Sequence, residues 1–252
     1  MEQTFAYPDY FARFYDVIYH KIRSGVDSAF FLNKIKENTG QTLEIGVGTG
    51  RFFAEALQRG ADIYGIDISP EMINVLKNKL DPSAQKRIMT GDACQMNLNR
   101  KFSLIIAPFR VFSHVTGVND QLRFLNNVWK HLEPGGQFIF DLFIPDPGLL
   151  HNGIDRLTDF EGEYEPGKRL RRITSSVPDV VSQILDITMR FEWEENEQWI
   201  TKEWQFKLRF FFRYELEHLI KLSKLTLVNI FGDYEQNPLN RNSKEFVLIC
   251  KR

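Results

Sequence analysis

Cysteine is scarce in this chain: 252 residues carry two, Cys94 and Cys250, with none of the paired spacing of a zinc or iron site. So few thiols argue against a disulfide-stapled secreted scaffold and fit buried side chains in a reducing cytoplasm. An excess of one charge is also missing. Lys plus Arg total 32 against 33 for Asp plus Glu, and a net charge of −1 creates no overall field toward nucleic acid or an anionic membrane. No apolar run approaches the roughly 20 residues that cross a bilayer. The first residues, Met1 to Phe5, lack the basic-then-apolar pattern of a secretory leader. Repeats and low-complexity segments are absent too. The expectation is a cytoplasmic protein with neither a nucleic-acid nor a membrane partner. What is present, 43% hydrophobic and 26% charged residues, is ordinary for a folded domain of this length, either one domain with an insertion or one domain plus a cap.

Against that plain background one stretch stands out. Leu43 to Gly50 is an apolar run that closes on Gly46, Gly48 and Gly50, and a helix-like segment begins at Arg51. A strand, a tight turn and a helix start follow from this pattern. Glycines permit positive φ and close ligand approach, and the helix N-terminus offers N–H groups. A second apolar run, Ile63 to Ile66, ends in Asp67, seventeen residues after Gly50, where a nucleotide fold places an acid for ribose hydroxyls. A dinucleotide is disfavoured, because Arg51 stands where the third glycine of Gly-x-Gly-x-x-Gly belongs. A nicotinamide dehydrogenase therefore ranks last among the readings.

Beyond Asp67 strands and helices continue to alternate. Ser69-Pro70-Glu71 starts a helix that Asp81-Pro82 breaks. Arg87 to Thr90 is a third strand, followed by Asp92, and Lys101 to Ala107 is a fourth. A helix over Asp120 to Leu132 leads through Pro134-Gly135-Gly136 to a fifth strand, Gln137 to Asp141. Period-two patches between Arg169 and Arg213 predict three antiparallel strands, with a solvated hairpin tip at Glu194 to Glu197. A helix over Tyr214 to Leu222 and strands at Leu225 to Phe231 and Glu245 to Cys250 close the chain.

The motif Glu44-x-Gly46-x-Gly48-x-Gly50, with one acid at each of three successive strand ends (Glu44, Asp67, Asp92), resembles the class I S-adenosylmethionine-dependent methyltransferases. The Leu132-x-Pro134-Gly135-Gly136 turn and Tyr15-Asp16-x-x-Tyr19 resemble the same family. The resemblance covers nearly the whole chain, weakly in the cap. It implies an α/β Rossmann-like three-layer sandwich: a seven-stranded, mostly parallel sheet whose last strand is antiparallel and inserts between the fifth and sixth, plus an antiparallel β cap. The expected division is a core of residues 1–146 and 213–252, with 1–40 as helices over the site, and a cap of residues 147–212.

It further implies S-adenosyl-L-methionine as cofactor and a binding set of Glu44, Gly46, Gly48, Gly50, Asp67, Ile68, Asp92, Ala93, Ala107 and Phe109, with Tyr15 closing over the ligand and Arg23 as a candidate for its carboxylate. Asp92 and the Ala93 N–H would read adenine, with Ile68 as a wall. Ala107-Pro108-Phe109 lacks the polar first residue and second proline of enzymes that methylate bases, and no nucleophilic Cys stands in this loop, so the acceptor is expected to be a small molecule methylated at nitrogen or oxygen. His114 has a suitable unperturbed pKa for a base, and Tyr15 could orient the acceptor; the alternative for His114 is a histidine that holds the loop. Tyr19, Arg110 and Asp141 are candidate substrate contacts, Asp141 equally a turn stabiliser. No metal is expected. Oligomeric state is left open, a dimer being one option. The competing reading is a regulatory module that binds the same cofactor without methyl transfer.

Overall fold

The computed structural model describes residues 7–22 and 25–252; Arg23 lies outside them. Helices α1 (Asp9–Ile22) and α2 (Val26–Glu37) precede the first strand, β1 (Thr42–Ile45). Then come α3 (Phe53–Gln58), β2 (Ile63–Asp67), α4 (Pro70–Lys77), α5 (Pro82–Gln85), β3 (Ile88–Thr90) and β4 (Phe102–Ala107). A 3₁₀ turn at Val111–His114 leads to α6 (Val118–His131) and β5 (Leu132–Phe143). After α7 (Pro147–Asn152) four long strands follow, β6 (Ile154–Glu165), β7 (Lys168–Asp179), β8 (Ile184–Glu195) and β9 (Gln198–Arg209), before α8 (Arg213–Leu222), β10 (Thr226–Phe231) and β11 (Glu245–Lys251) complete the chain.

Seven strands form one sheet in the order β10-β11-β5-β4-β1-β2-β3, with β11 antiparallel between β5 and β10, as the resemblance implies. The alternation of side chains along the strands explains why the sheet needs helices on both faces. Leu43, Ile45, Ile105, Phe138, Phe140 and Leu248 pack under α6 and α8. The intervening Leu104, Ile106, Ile139, Val247 and Ile249 pack under α2, α3 and α4. Local signals set the helix starts: the Ser69 hydroxyl accepts from the Met72 N–H with Pro70 behind it, and Asp146 caps α7 through the Leu149 N–H at 3.0 Å.

The second sheet has four antiparallel strands, β6-β7-β8-β9, one more than the three expected. The extra strand, β6, has a single buried residue, Phe160, so its sequence carries little of the apolar alternation that announces a strand. The expected tip is a two-residue turn at Asn196 and Glu197, both at positive φ, the geometry that suits the twist of a hairpin. Helix α1 joins the two sheets. Its Phe11, Phe14 and Ile18 are buried with Phe160, Leu170, Phe191 and Trp193 of the second sheet and with Met72 of α4. No helix among the described residues is long and apolar enough to cross a membrane.

Candidate functional site

A cavity of about 580 Å³ opens at the carboxyl ends of β1, β2 and β4, where an open α/β sheet places its ligands. Its floor is the glycine turn. Gly46, Gly48 and Gly50 all have positive φ, and a Cβ at Gly46 would lie 2.3 Å from Val111 Cγ2. Asp67, at the end of β2, braces this turn: one carboxylate oxygen accepts from the Gly48 N–H at 2.8 Å and the other from the Ser69 N–H at 2.9 Å. Burial pushes the Asp67 carboxyl up, and these amides oppose the shift.

Glu44 is more deeply held. It lies in β1 and is 1% exposed, its Oε2 makes no hydrogen bond, and burial raises its pKa well above the usual range against the pull of Arg51. At the far side Asp92 accepts from the Cys94 N–H at 2.8 Å, and the carbonyls of Ala93 and Cys94 are held by Asn127.

The cavity is lined by Tyr15, Glu44, Gly46, Gly48, Asp67, Ile68, Asp92, Ala93, Phe109 and His114, ten of the expected residues. Five others do not line it. Gly50 packs against α4, where a Cβ would lie 2.2 Å from Leu76 Cδ1, and Ala107 is fully buried in the sheet core. Arg110 pairs with Glu245 at 2.8 Å, and its guanidinium lies 5.1 Å from the Phe143 ring. Asp141 accepts from the Arg110 N–H at 3.0 Å and from the Tyr234 hydroxyl, and so stabilises a turn in which Phe109 and Arg110 both adopt positive φ. That turn aims Phe109 at the cavity. Tyr19 stands one layer back: its hydroxyl accepts from buried Arg172 at 3.1 Å, and its ring lies 4.3 Å from Tyr15 and 5.2 Å from Phe109.

Three groups at the site were not singled out from sequence. Arg51, read only as a bulky obstacle to a pyrophosphate, lines the cavity and pairs with buried Asp27 at 2.6 Å. Asp16 accepts from the Thr49 hydroxyl at 2.7 Å and pairs with Lys79, whose ammonium also donates to the Thr49 carbonyl, so α1 is tied to the glycine turn and to the turn after α4. The Tyr7 hydroxyl lies 3.2 Å from His114 Nε2, backed by Trp204 and Phe206 of β9, which stack at 4.2 Å. No sequence signal joins these partners, which lie between 24 and 107 positions apart.

His114 exposes its remaining surface to the cavity, and desolvation pushes its pKa down to about 4. The unfolded imidazole titrates near 6.5, so the unfolded state binds more protons between these values. Stability from the neutral ring is therefore complete above about pH 6.5 and lost as pH falls toward 4, by up to about 3 kcal/mol. Thermal unfolding should show the melting temperature of the wild type falling relative to His114→Gln between pH 7 and pH 4. Glu44 and Asp67, shifted upward, act oppositely but equally in both proteins. A difference that stays constant with pH would show that His114 is not desolvated.

Comparison with known proteins places this geometry. A family described as "Methyltransferase domain" matches residues 43–140. The chain is 32% identical over 161 residues to an uncharacterized methyltransferase of Geobacillus kaustophilus, covering 60% of this chain and 73% of that one. It is 34% identical over 105 residues to malonyl-acyl-carrier-protein O-methyltransferase 1 of Ilyobacter polytropus, covering 40% of this chain but only 37% of that relative. Among solved structures, an S-adenosylmethionine-dependent methyltransferase from Clostridium acetobutylicum superposes with a TM-score of 0.76 over 96% of this chain and 98% of that one, at 21% identity, a likeness of fold.

Proposed function

This chain belongs to the class I S-adenosylmethionine-dependent methyltransferases, and from that premise we propose that it transfers the methyl group of S-adenosylmethionine to a nitrogen or oxygen of a small molecule. The observation that carries the reading is the convergence of Glu44, Asp67 and Asp92 on one cavity that Tyr7, Tyr15, Phe109 and His114 also line. The residues fit the cofactor. Glu44 offers a buried carboxylate oxygen without a partner, suited to an ammonium group. Asp67 would accept from the ribose hydroxyls, and Asp92 with the Ala93 N–H would read adenine; Ile68 and Cys94 line the same cavity.

When bound, S-adenosylmethionine supplies a methyl group already activated by its sulfonium. The protein has then to align the acceptor and exclude water, and alignment supplies most of the acceleration. Tyr15 and Phe109 wall the cavity, and Tyr19 and Arg172 hold those rings from behind. Tyr7 and His114 form a polar pair within an aromatic wall. With its pKa near 4, His114 is a weak base for a hydroxyl acceptor, whereas an amine that enters as the free base needs no proton removed before attack. On this reading nitrogen is the expected acceptor atom.

Incubation of a metabolite extract with the enzyme and methyl-labelled S-adenosylmethionine, followed by identification of labelled products, tests the reading. A labelled small amine is the expected product. Tight cofactor binding with no labelled product from any extract would instead favour a module that binds the cofactor without transferring its methyl.

A further inference from the structure

Two adjacent residues of the loop after β4, Phe109 and Arg110, stand in the left-handed region at φ 63° and 64°. That backbone is strained for any residue with a Cβ, and neither side chain is an Asn or Asp that could ease it by bonding locally. Contacts from outside the loop therefore hold the turn. Asp141 of β5 is fully buried, and its Oδ1 accepts from the Arg110 N–H at 3.0 Å. Its Oδ2 accepts from the hydroxyl of Tyr234, 93 positions further along the chain. Tyr234 belongs to the connection between β10 and β11, and its ring centre lies 6.1 Å from that of Phe30 and 6.3 Å from that of Phe31 in α2. The neighbouring Asp233 braces this connection by accepting from the Glu235 and Asn237 N–H groups, each at 3.0 Å. The turn so held carries two groups of the cavity. Phe109 is its first residue, and the 3₁₀ turn Val111–His114 begins directly after Arg110.

Resting on the methyltransferase reading above, we infer that Tyr234, acting through Asp141, is a positioning residue for methyl transfer: it fixes the strained turn that sets Phe109 and His114 in the cavity. Tyr234 does not itself line the cavity. Its hydroxyl fixes the second oxygen of a buried carboxylate, and bonds to ionised acceptors are among the stronger hydrogen bonds. Without that bond the carboxylate is free to rotate, the Arg110 amide loses a fixed acceptor, and the turn relaxes toward ordinary backbone. A misplacement of about 1 Å in groups that align a reaction can cost about 100-fold in rate. The acids read as cofactor contacts are held separately, Asp67 by the Gly48 and Ser69 amides and Asp92 by that of Cys94. Loss of the relay is therefore felt in transfer and not in cofactor binding.

Tyr234→Phe in the full chain removes the hydroxyl and keeps the ring beside α2. With saturating methyl-labelled S-adenosylmethionine and a metabolite extract as the source of acceptor, its initial rate of labelling is expected to fall about 10-fold or more. Calorimetric affinity for S-adenosylhomocysteine should stay within about three-fold, a split between rate and binding that a merely structural residue would not produce. Asp141→Asn, which keeps an acceptor oxygen for the Arg110 amide, should show a smaller loss of the same kind. Arg110→Asn supplies a rescue, because asparagine tolerates the left-handed region. In that background the added Tyr234→Phe should cost no more than about three-fold relative to Arg110→Asn alone, the mark of a coupled pair. Hydrogen exchange over residues 108–115 reads the turn directly and should quicken in Tyr234→Phe while β1 stays protected. Labelling at the wild-type rate, unchanged exchange over that turn, or equal losses of rate and affinity would each overturn the assignment. A wild type that binds S-adenosylhomocysteine but labels nothing would instead overturn the transfer reading, and this inference with it.

Discussion

Asp67→Ala should lower the affinity for S-adenosylhomocysteine by more than about 100-fold while the chain stays folded, the sum of two charge-assisted bonds to ribose hydroxyls at about 1.5–3 kcal/mol each. The carboxylate does two things at once. It presents its oxygens at the end of β2, and it holds the Gly48 and Ser69 amides, so the glycine turn and the α4 cap share one anchor. Removing it would take away the proposed ribose acceptor and loosen the glycine turn. The fold survives because no apolar volume is lost; leaving two amides without their acceptor costs about 1–3 kcal/mol. Calorimetry with S-adenosylhomocysteine and circular dichroism on the same sample provide the check. Native dichroism with unchanged affinity would remove Asp67 from the ribose site. Asp67→Asn keeps one acceptor oxygen but turns an N–H₂ toward one of the two amides, and its affinity should lie between the wild type and alanine.

Phe112→Ala is expected to cost about 3–5 kcal/mol of stability, the range for a buried Phe truncated in a close-packed core. Phe112 is fully buried, stacked on Phe211 at 5.5 Å and edge-on to Phe124 at 5.1 Å and Phe140 at 5.5 Å. These three rings come from the segment before α8, from α6 and from β5, so the cavity left behind touches three elements that cannot close in together. For a chain of this size each kcal/mol shifts the melting temperature by about 2–4 °C, giving a fall of roughly 6–20 °C in a thermal melt. A fall below about 3 °C would mean that the neighbours collapse into the space. Phe109, three residues earlier but facing the cavity, should lose far less stability on truncation, because its ring is only partly buried.

The contrast between Phe109 and Phe112 marks how far the sequence is legible. Both sit in one aromatic loop, and nothing in their spacing says which faces ligand and which faces core. The strands of the main sheet were legible because each is a short apolar run punctuated by a cap or a glycine, and such signals act over a few residues. Strand β6 was not, since an edge strand with one buried residue has little hydrophobic period to display. Asp141 was open between substrate contact and turn stabiliser; its fully buried side chain is taken up by the Arg110 amide and the Tyr234 hydroxyl, the second 93 positions away.

The alternation of strand and helix, the glycine turn and the row of acids at strand ends are written in the chain's local chemistry. Strand and helix propensity, capping and backbone freedom are local, and a parallel sheet brings its carboxyl ends to one edge whatever the side chains between them. The pairing across that edge comes from packing in three dimensions: Arg51 with Asp27, Tyr7 with His114, Asp16 with Thr49 and Lys79. Those contacts depend on how helices α1 and α2 and the second sheet pack over the first. Packing selects partners by shape and desolvation among residues far apart in the chain, which no short-range pattern records.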